Sequence, residues 1–573
     1  MGEMSASIWI FLLLTFGLAG VLADLHFGAA EYDDYNAGLY GDRPNQTYYS
    51  TDIKSPLFLI NTWKKDAVAP GSHIFMSPSV GGQHRSPMIF SAKDLSLVYA
   101  DPSWDGGATV NLQEYKGKKY ITFWSGKDYI GWGSGGGIIL DENYRFFAHV
   151  TTTDEFETGA DSHEFQLTPD GTALVNNYYK IPYNMTPVNG PADSILHDSA
   201  FQEIDIETGE ALFTWRAKDH FELHESLNAY IFDADGGGWD WFHQNSIQKT
   251  PDGNYLISAR HLCMLALING TDGTRIWQLG GKKNDFKDLS DGRATKFGFQ
   301  HNARFVDDTL REITFFDNNA EFPHSPTPKC DDACSRAVRV RLDYDAMTAE
   351  LVQEFYHPKS VQAWAQGGVQ PLPNGGAMIA WGTVPSVTEV NAEGETIMEL
   401  QLSPWAVASG GRNGVSFYRV YKLDYTAYPP WGPSIACVNG TLYVSWNGAT
   451  EVVSWSVFGG QSSVTLEAKN HVVPRAGFET AIEVDPSLEL AFAQVHALDT
   501  NGNSLGSTDI VNMQTGEFLA GRFSPSETCN SRRFLVDSKA IGGHCNQHPE
   551  AGPSRGYRPD EKGAAIVLPG API

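Results

Sequence analysis

Three short segments of this chain each set a histidine at the head of two strands joined by an acidic turn. They run SHEFQLTPDGTALV from Ser162 to Val175, FHQNSIQKTPDGNYLISARH from Phe242 to His261, and FQHNARFVDDTLREITFFDN from Phe299 to Asn318. An imidazole is poised near neutral pH, trades protons readily, and leaves well enough for a covalent intermediate on it to turn over. Asn245 adds an amide donor two residues after His243, and Arg260 adds a guanidinium fork suited to oxyanions. His163, His243, His301, Arg260 and Asn245 therefore suit an oxyanion such as a sulfate ester. Its transferring group spreads negative charge over peripheral oxygens, which preorganised donors stabilise. One imidazole would serve as nucleophile, and another as acid and then base toward a phenol.

Positioning such a set falls to the hairpins. Alternating apolar residues and Asp-Gly or Asp-Asp turns read as paired strands, and repeated hairpins arranged about one axis bring His163, His243 and His301 together. Side chains two apart on a strand share a face. By that parity His243 and Asn245 point together, while Leu256, Ser258 and Arg260 face one way and His261 the other. Arg260 then joins the pocket and His261 is structural. From Leu57 to about Ser403 the chain is a succession of short strands without a long amphipathic helix. At roughly 45 residues per four-stranded blade, some 350 residues give a six-bladed β-propeller, and seven blades also fit. The expected fold class is all-β: a propeller over 57–424, then a small β-sandwich over 425–517, where LYVSWNGATEVVSW and LAFAQVHALD alternate. An arm over 24–56 precedes them and a Gly/Pro-rich tail over 518–573 follows.

Composition narrows the partners. The 573 residues are 42% hydrophobic, ample for buried cores, and 41 Lys plus Arg against 68 Asp plus Glu give a net charge of -27. With no basic stripe, nucleic acid and anionic membrane are excluded as partners. A small aromatic molecule, a phenol or phenolic sulfate, is the expected one. The apolar run Ile8 to Val21 before Val21-Leu22-Ala23 reads as a signal peptide over 1–23. Four Asn-X-Thr sequons, at Asn45, Asn184, Asn269 and Asn439, agree with secretion. Cys330 with Cys334 and Cys529 with Cys545 are plausible local disulfides, with Cys263 and Cys437 left over.

Blander readings compete. A polar residue heading an inner strand is often only a satisfied structural group. Histidines could build a zinc site, yet no His-Glu-x-x-His or paired-cysteine spacing appears, so neither metal nor other cofactor is expected. His220, His224 and Glu225 read as solvated loop residues ahead of a lid. Gly135-Gly136-Gly137 lacks the Gly-Lys-Ser/Thr of a phosphate cradle.

The His-x-Asn, Ser-x-Arg-His and Gln-His spacings, with WQLGG and VQPLPNGGAMIAWG, resemble the arylsulfotransferase family, in particular its secreted fungal branch, over most of Leu57 to Val511. The resemblance implies a six-bladed propeller that moves a sulfuryl group between phenols through a sulfated histidine, without a nucleotide donor. It makes His301 the nucleophile, His243 and Asn245 sulfate contacts or acid/base groups, Arg260 the sulfate clamp and His163 a further acid/base residue. Bacterial members tend to carry paired histidines where this chain has Phe242-His243 and Ser162-His163, and carry the sandwich ahead of the propeller. The competing expectation is a propeller that has kept the fold and lost sulfotransfer. It would bind another aromatic molecule or transform it as a cyclase or lyase.

Overall fold

The computed structural model describes residues 24–519 apart from 81–82, 85, 105, 130, 154–155, 231–236, 321–333 and 406–413. The expected signal segment and nearly all of the tail lie outside these, as do Cys330, Cys529 and Cys545. Strands dominate; helix among the described residues amounts to the short turn Tyr32–Asn36, isolated 3-10 turns and Trp405.

Six mainly antiparallel sheets hold most of the described strands; Trp239–Asp240 and Lys287–Asp288 add short parallel edges to the second and fourth. The first contains Gly106–Tyr115, Lys118–Tyr129, Trp132–Leu140 and Phe146–Val150. The second contains Phe165–Leu167, Thr172–Tyr183, Ser194–Asp205 and Ala211–Arg216, and the third Gln244–Lys249, Tyr255–Ala259, Met264–Ile268 and Arg275–Gly280. The fourth is built from His301–Phe305, Glu312–Asp317, Arg336–Asp343 and Thr348–Tyr356. In the fifth, Gly368–Pro371, Ala377–Ala380, Ser386–Val390 and Thr396–Gln401 gain an outer strand from Leu59–Trp63. The sixth joins Val415–Leu423 to His73–Val80, which pairs with Met88–Ser91 and through it with Leu97–Ala100.

The three histidine hairpins open the second, third and fourth sheets. Gly171 and Gly253 hold φ of 86° and 82°, a conformation that favours glycine and explains the Asp-Gly turns.

The core lies between sheets. Leu174, Phe201 and Trp215 of the second sheet pack with Ile257, Met264 and Ala266 of the third, and Leu256, Leu265 and Trp277 of the third with Ile313, Phe315 and Val340 of the fourth. Similar clusters join first to second, fourth to fifth and fifth to sixth, and a last one sets Phe75 and Val98 of the sixth against Ile121 and Phe123 of the first. Each sheet thus buries both faces against two neighbours. Emptying one such site, as in Trp277→Ala, would cost about 3–5 kcal/mol.

After Tyr425 a three-stranded and a six-stranded sheet share one cluster that includes Leu442, Val444, Trp455 and Val495. Cys263 and Cys437 form no disulfide.

Candidate active site

His301 begins its strand, His243 immediately precedes Gln244–Lys249, and His163 stands two residues before Phe165–Leu167. All three sit where a first strand enters its sheet. The rings of His163 and His243 lie 4.9 Å apart, and that of His261 lies 4.7 Å beyond His243. Tyr418 spans the remaining gap, with its ring 5.6 Å from His163 and 6.1 Å from His301. Arg260 stacks 4.1 Å over Phe299, donates to His261 Nε2 at 2.7 Å, and donates to the Trp364 carbonyl at 2.9 Å. His163, His243 and His261 expose 7% each, Arg260 6% and His301 2%, so the cluster is interior and reaches solvent only at its edge.

Two expectations from strand parity fail. Arg260 and His261 do not face opposite ways; they touch. The strand ends at Ala259 and both residues lie in the turn after it, where alternation no longer applies. Asn245 does not repeat the orientation of His243 either. The ladder slips between Gln244 and Ser246, leaving Asn245 as the extra residue, and His243 itself holds φ of 56°. The Asn245 amide crosses to the Gln300 carbonyl at 2.7 Å, beside His301.

Each imidazole has one nitrogen fixed. Asn318 gives both amide hydrogens to the carbonyls of Ala363 and Gln366, so its oxygen faces His301 Nδ1 at 2.7 Å and that nitrogen carries the proton. His301 Nε2 therefore carries a lone pair, which accepts from the Gln366 N–H at 3.3 Å. Asp161 accepts from His163 Nδ1 at 2.6 Å, and Asp240 accepts from His243 Nδ1. His261 donates Nδ1–H to the Asp240 carbonyl and accepts from Arg260 at Nε2, so it orients the guanidinium.

Burial, reinforced by the positive charge of Arg260, holds His301 well below the usual histidine range. Burial together with His163 and Arg260 does the same to His243, and burial also depresses His261. These three are neutral at pH 7. Arg260 is pushed down to about 10, because desolvation outweighs the attraction of Asp240, and it remains charged.

Sequence reasoning passed over Asp161, Asp240, Asn318 and the spacer Tyr418. Two of these carried a signal: an aspartate two residues before His163 and another three before His243. Asn318 closes the same hairpin as His301 but lies past the end of its strand, and Tyr418 arrives from a distant segment; neither had one.

Asp240, His243 and His261 bring ligand atoms within 4.8 Å of one another, a spacing that could hold a metal ion. Both nitrogens of His261 are engaged, however, and a guanidinium 2.7 Å from one of them would repel a cation. The donor set favours an anion.

Neutral, oriented imidazoles around a buried guanidinium, carried on stacked antiparallel sheets, form a site suited to holding and moving an oxyanion. The arylsulfotransferase (ASST) family model matches residues 111–403, just over half of the chain, and the chain belongs to that family. Membership supports an arylsulfotransferase-like function on phenolic substrates. No curated protein sequence matches the chain. Similar solved structures include a protein of unknown function from Bacteroides caccae, 17% identical over 61% of this chain and 100% of that one, with a TM-score of 0.34. The periplasmic gluconolactonase of Pseudomonas aeruginosa is 12% identical over 60% and 98%, with a TM-score of 0.32. The quinohemoprotein alcohol dehydrogenase of Comamonas testosteroni is 9% identical over 65% and 61%, with a TM-score of 0.28. Scores this low bear on neither fold nor function. No described helix is long and apolar enough to cross a membrane.

Proposed function

We propose that this protein is a secreted arylsulfotransferase of the family's fungal branch, which moves a sulfuryl group between phenols through a sulfated His301 without a nucleotide donor. Its six sheets are the blades of a propeller over 57–424, followed by a sandwich over 425–517. The cycle of clusters between consecutive sheets supports the six-blade count. The leader segment and the sequons support secretion.

The observation that carries the chemistry is the lone pair left on His301 Nε2 by Asn318, within the same buried cluster as Arg260. The His301 nitrogen attacks sulfur as the bond from sulfur to the aryl oxygen breaks. Binding of the anionic donor draws a solvent proton onto the otherwise neutral His243 at Nε2, a charge that Asp240 and the bound anion stabilise, and the leaving oxygen takes that proton, with His163 beside it as a second relay. Arg260 holds the equatorial oxygens. His243 then removes the proton of the acceptor phenol, whose oxygen attacks sulfur as the bond to His301 breaks. Imidazole and imidazolium are thereby restored.

Intact mass measured after brief mixing with a chromogenic phenyl sulfate, alongside phenol release, tests this. A gain of one sulfuryl group, discharged by acceptor phenol and absent in His301→Ala, is expected. Turnover by folded His301→Ala would remove His301 from the reaction. No adduct and no phenol from several donors would leave a family member that binds or transforms another aromatic molecule.

A further inference from the structure

Below the imidazole cluster the first strands of all six sheets enclose a cavity of about 280 Å³, lined by Gln113, Gln166, Gln248, Arg304, Gln370 and Tyr421 among others. An ion cluster separates the two. Glu164 accepts from Arg419 at 2.7 and 3.1 Å and from Arg304 at 2.6 Å. Arg419 also donates to the carbonyls of His163 and Asn245, which places the cavity and the histidines on either side of one guanidinium. Burial alone would raise Glu164, but Arg304 and Arg419 hold it below the ordinary carboxylate range, so it is ionised.

Two guanidiniums against one carboxylate leave the lining with one net positive charge, in a chain whose total is -27. The polar atoms lean the same way. Four buried side-chain atoms of lining residues lack a partner among the described residues: Asn302 Nδ2 and Arg419 Nε can only donate, Thr314 Oγ1 can donate or accept, and Gln166 Oε1 can only accept, so donors outnumber acceptors. Gln248 Oε1 accepts from Phe305 N at 2.7 Å, which leaves its NH₂ to donate as well. Buried charge and unpaired donors both favour an anionic occupant. At ~30 Å³ per water the space equals about nine waters, room for a small hydrated anion.

We propose that this axial cavity binds one small oxyanion, inorganic sulfate or a short carboxylate, at a site separate from the imidazole cluster. The proposal does not rest on sulfuryl transfer. Equilibrium dialysis with radiolabelled sulfate at fixed ionic strength tests it in Arg260→Gln protein, where the imidazole cluster has lost its guanidinium. About one sulfate per chain is expected to remain bound. Adding Gln248→Glu supplies a resident carboxylate while keeping the acceptor for Phe305, and should cut binding at least about tenfold; Arg304→Gln should do the same. Melting curves of Gln248→Glu establish that the loss is not unfolding, so that variant decides should Arg304→Gln fail to fold. Competition by formate marks a carboxylate as the occupant, and its failure marks inorganic sulfate. No bound sulfate in the Arg260→Gln protein, binding that survives Gln248→Glu, or equal displacement by chloride would overturn the site.

Discussion

Replacing Arg260 by Gln separates catalysis from stability. Desolvation pushes this guanidinium down to about 10. At ~1.4 kcal/mol per tenfold change in proton affinity, that corresponds to about 3 kcal/mol of burial cost that its surroundings leave unmet. An anion seated against Arg260 recovers much of that sum, so its loss should lower kcat/KM for a phenyl sulfate donor by about 100-fold. The folded protein meets two opposing effects. It sheds the buried charge, and it leaves the acceptors His261 Nε2 and the Trp364 carbonyl without their donor, at about 1–3 kcal/mol. These nearly cancel, so the melting temperature should stay close to that of the parent. Phenol release and differential scanning calorimetry on the same preparation read both quantities. A rate within about threefold of the parent, or a melting point that collapses along with the rate, would refute the assignment of Arg260 to the transferring group.

Asp161→Asn and Asp240→Asn should each lower kcat by about 10²- to 10⁴-fold with little change in KM, because an amide no longer fixes the imidazole tautomer or stabilises its charged form. Unchanged kcat in both would make the two aspartates structural. Acid should destabilise the fold. His243, His261 and His301 are depressed below their unfolded value near 6.5, so their contribution is complete above that pH and is lost as pH falls through it, at up to ~1.4 kcal/mol per pH unit each. Asp198, raised to about 6 by burial, works in the opposite sense below that pH and offsets part of the loss. Calorimetry from pH 7.5 to 5 should show a falling melting temperature; a flat or rising profile would contradict the burial of these imidazoles.

The sequence made the hairpins legible because Asp-Gly turns and two-residue periodicity are local. Asp170-Gly171 and Asp252-Gly253 mark their turns directly, and the order of strands around each histidine follows. The convergence of His163, His243 and His301 on one end was legible too, since each occupies the same place in its own hairpin. What failed was extrapolation past an element's end. Parity assigned Arg260 and His261 to opposite sides although the strand stops at Ala259, and it carried His243 through a bulge to Asn245. Contacts made between separate segments, 45 residues apart for Asn318 with Ala363 and farther for Tyr418 between His163 and His301, leave no periodic trace.

The pairing of Val415–Leu423 with His73–Val80, and of Thr396–Gln401 with Leu59–Trp63, has a consequence for the order of assembly. The amino-terminal strands leave the ribosome long before their partners exist, and must wait with unpaired backbone edges while more than three hundred further residues are made. Closing so large a loop is entropically slow, and the open edges are templates for misassociation meanwhile. The last partner to emerge, Val415–Leu423, also carries Tyr418, which spans His163 and His301, and Arg419, which ties the carbonyls of His163 and Asn245. A nascent or truncated chain ending before this strand would lack both its closing pair and the floor beneath its histidines, so the chemistry can appear only once assembly is complete.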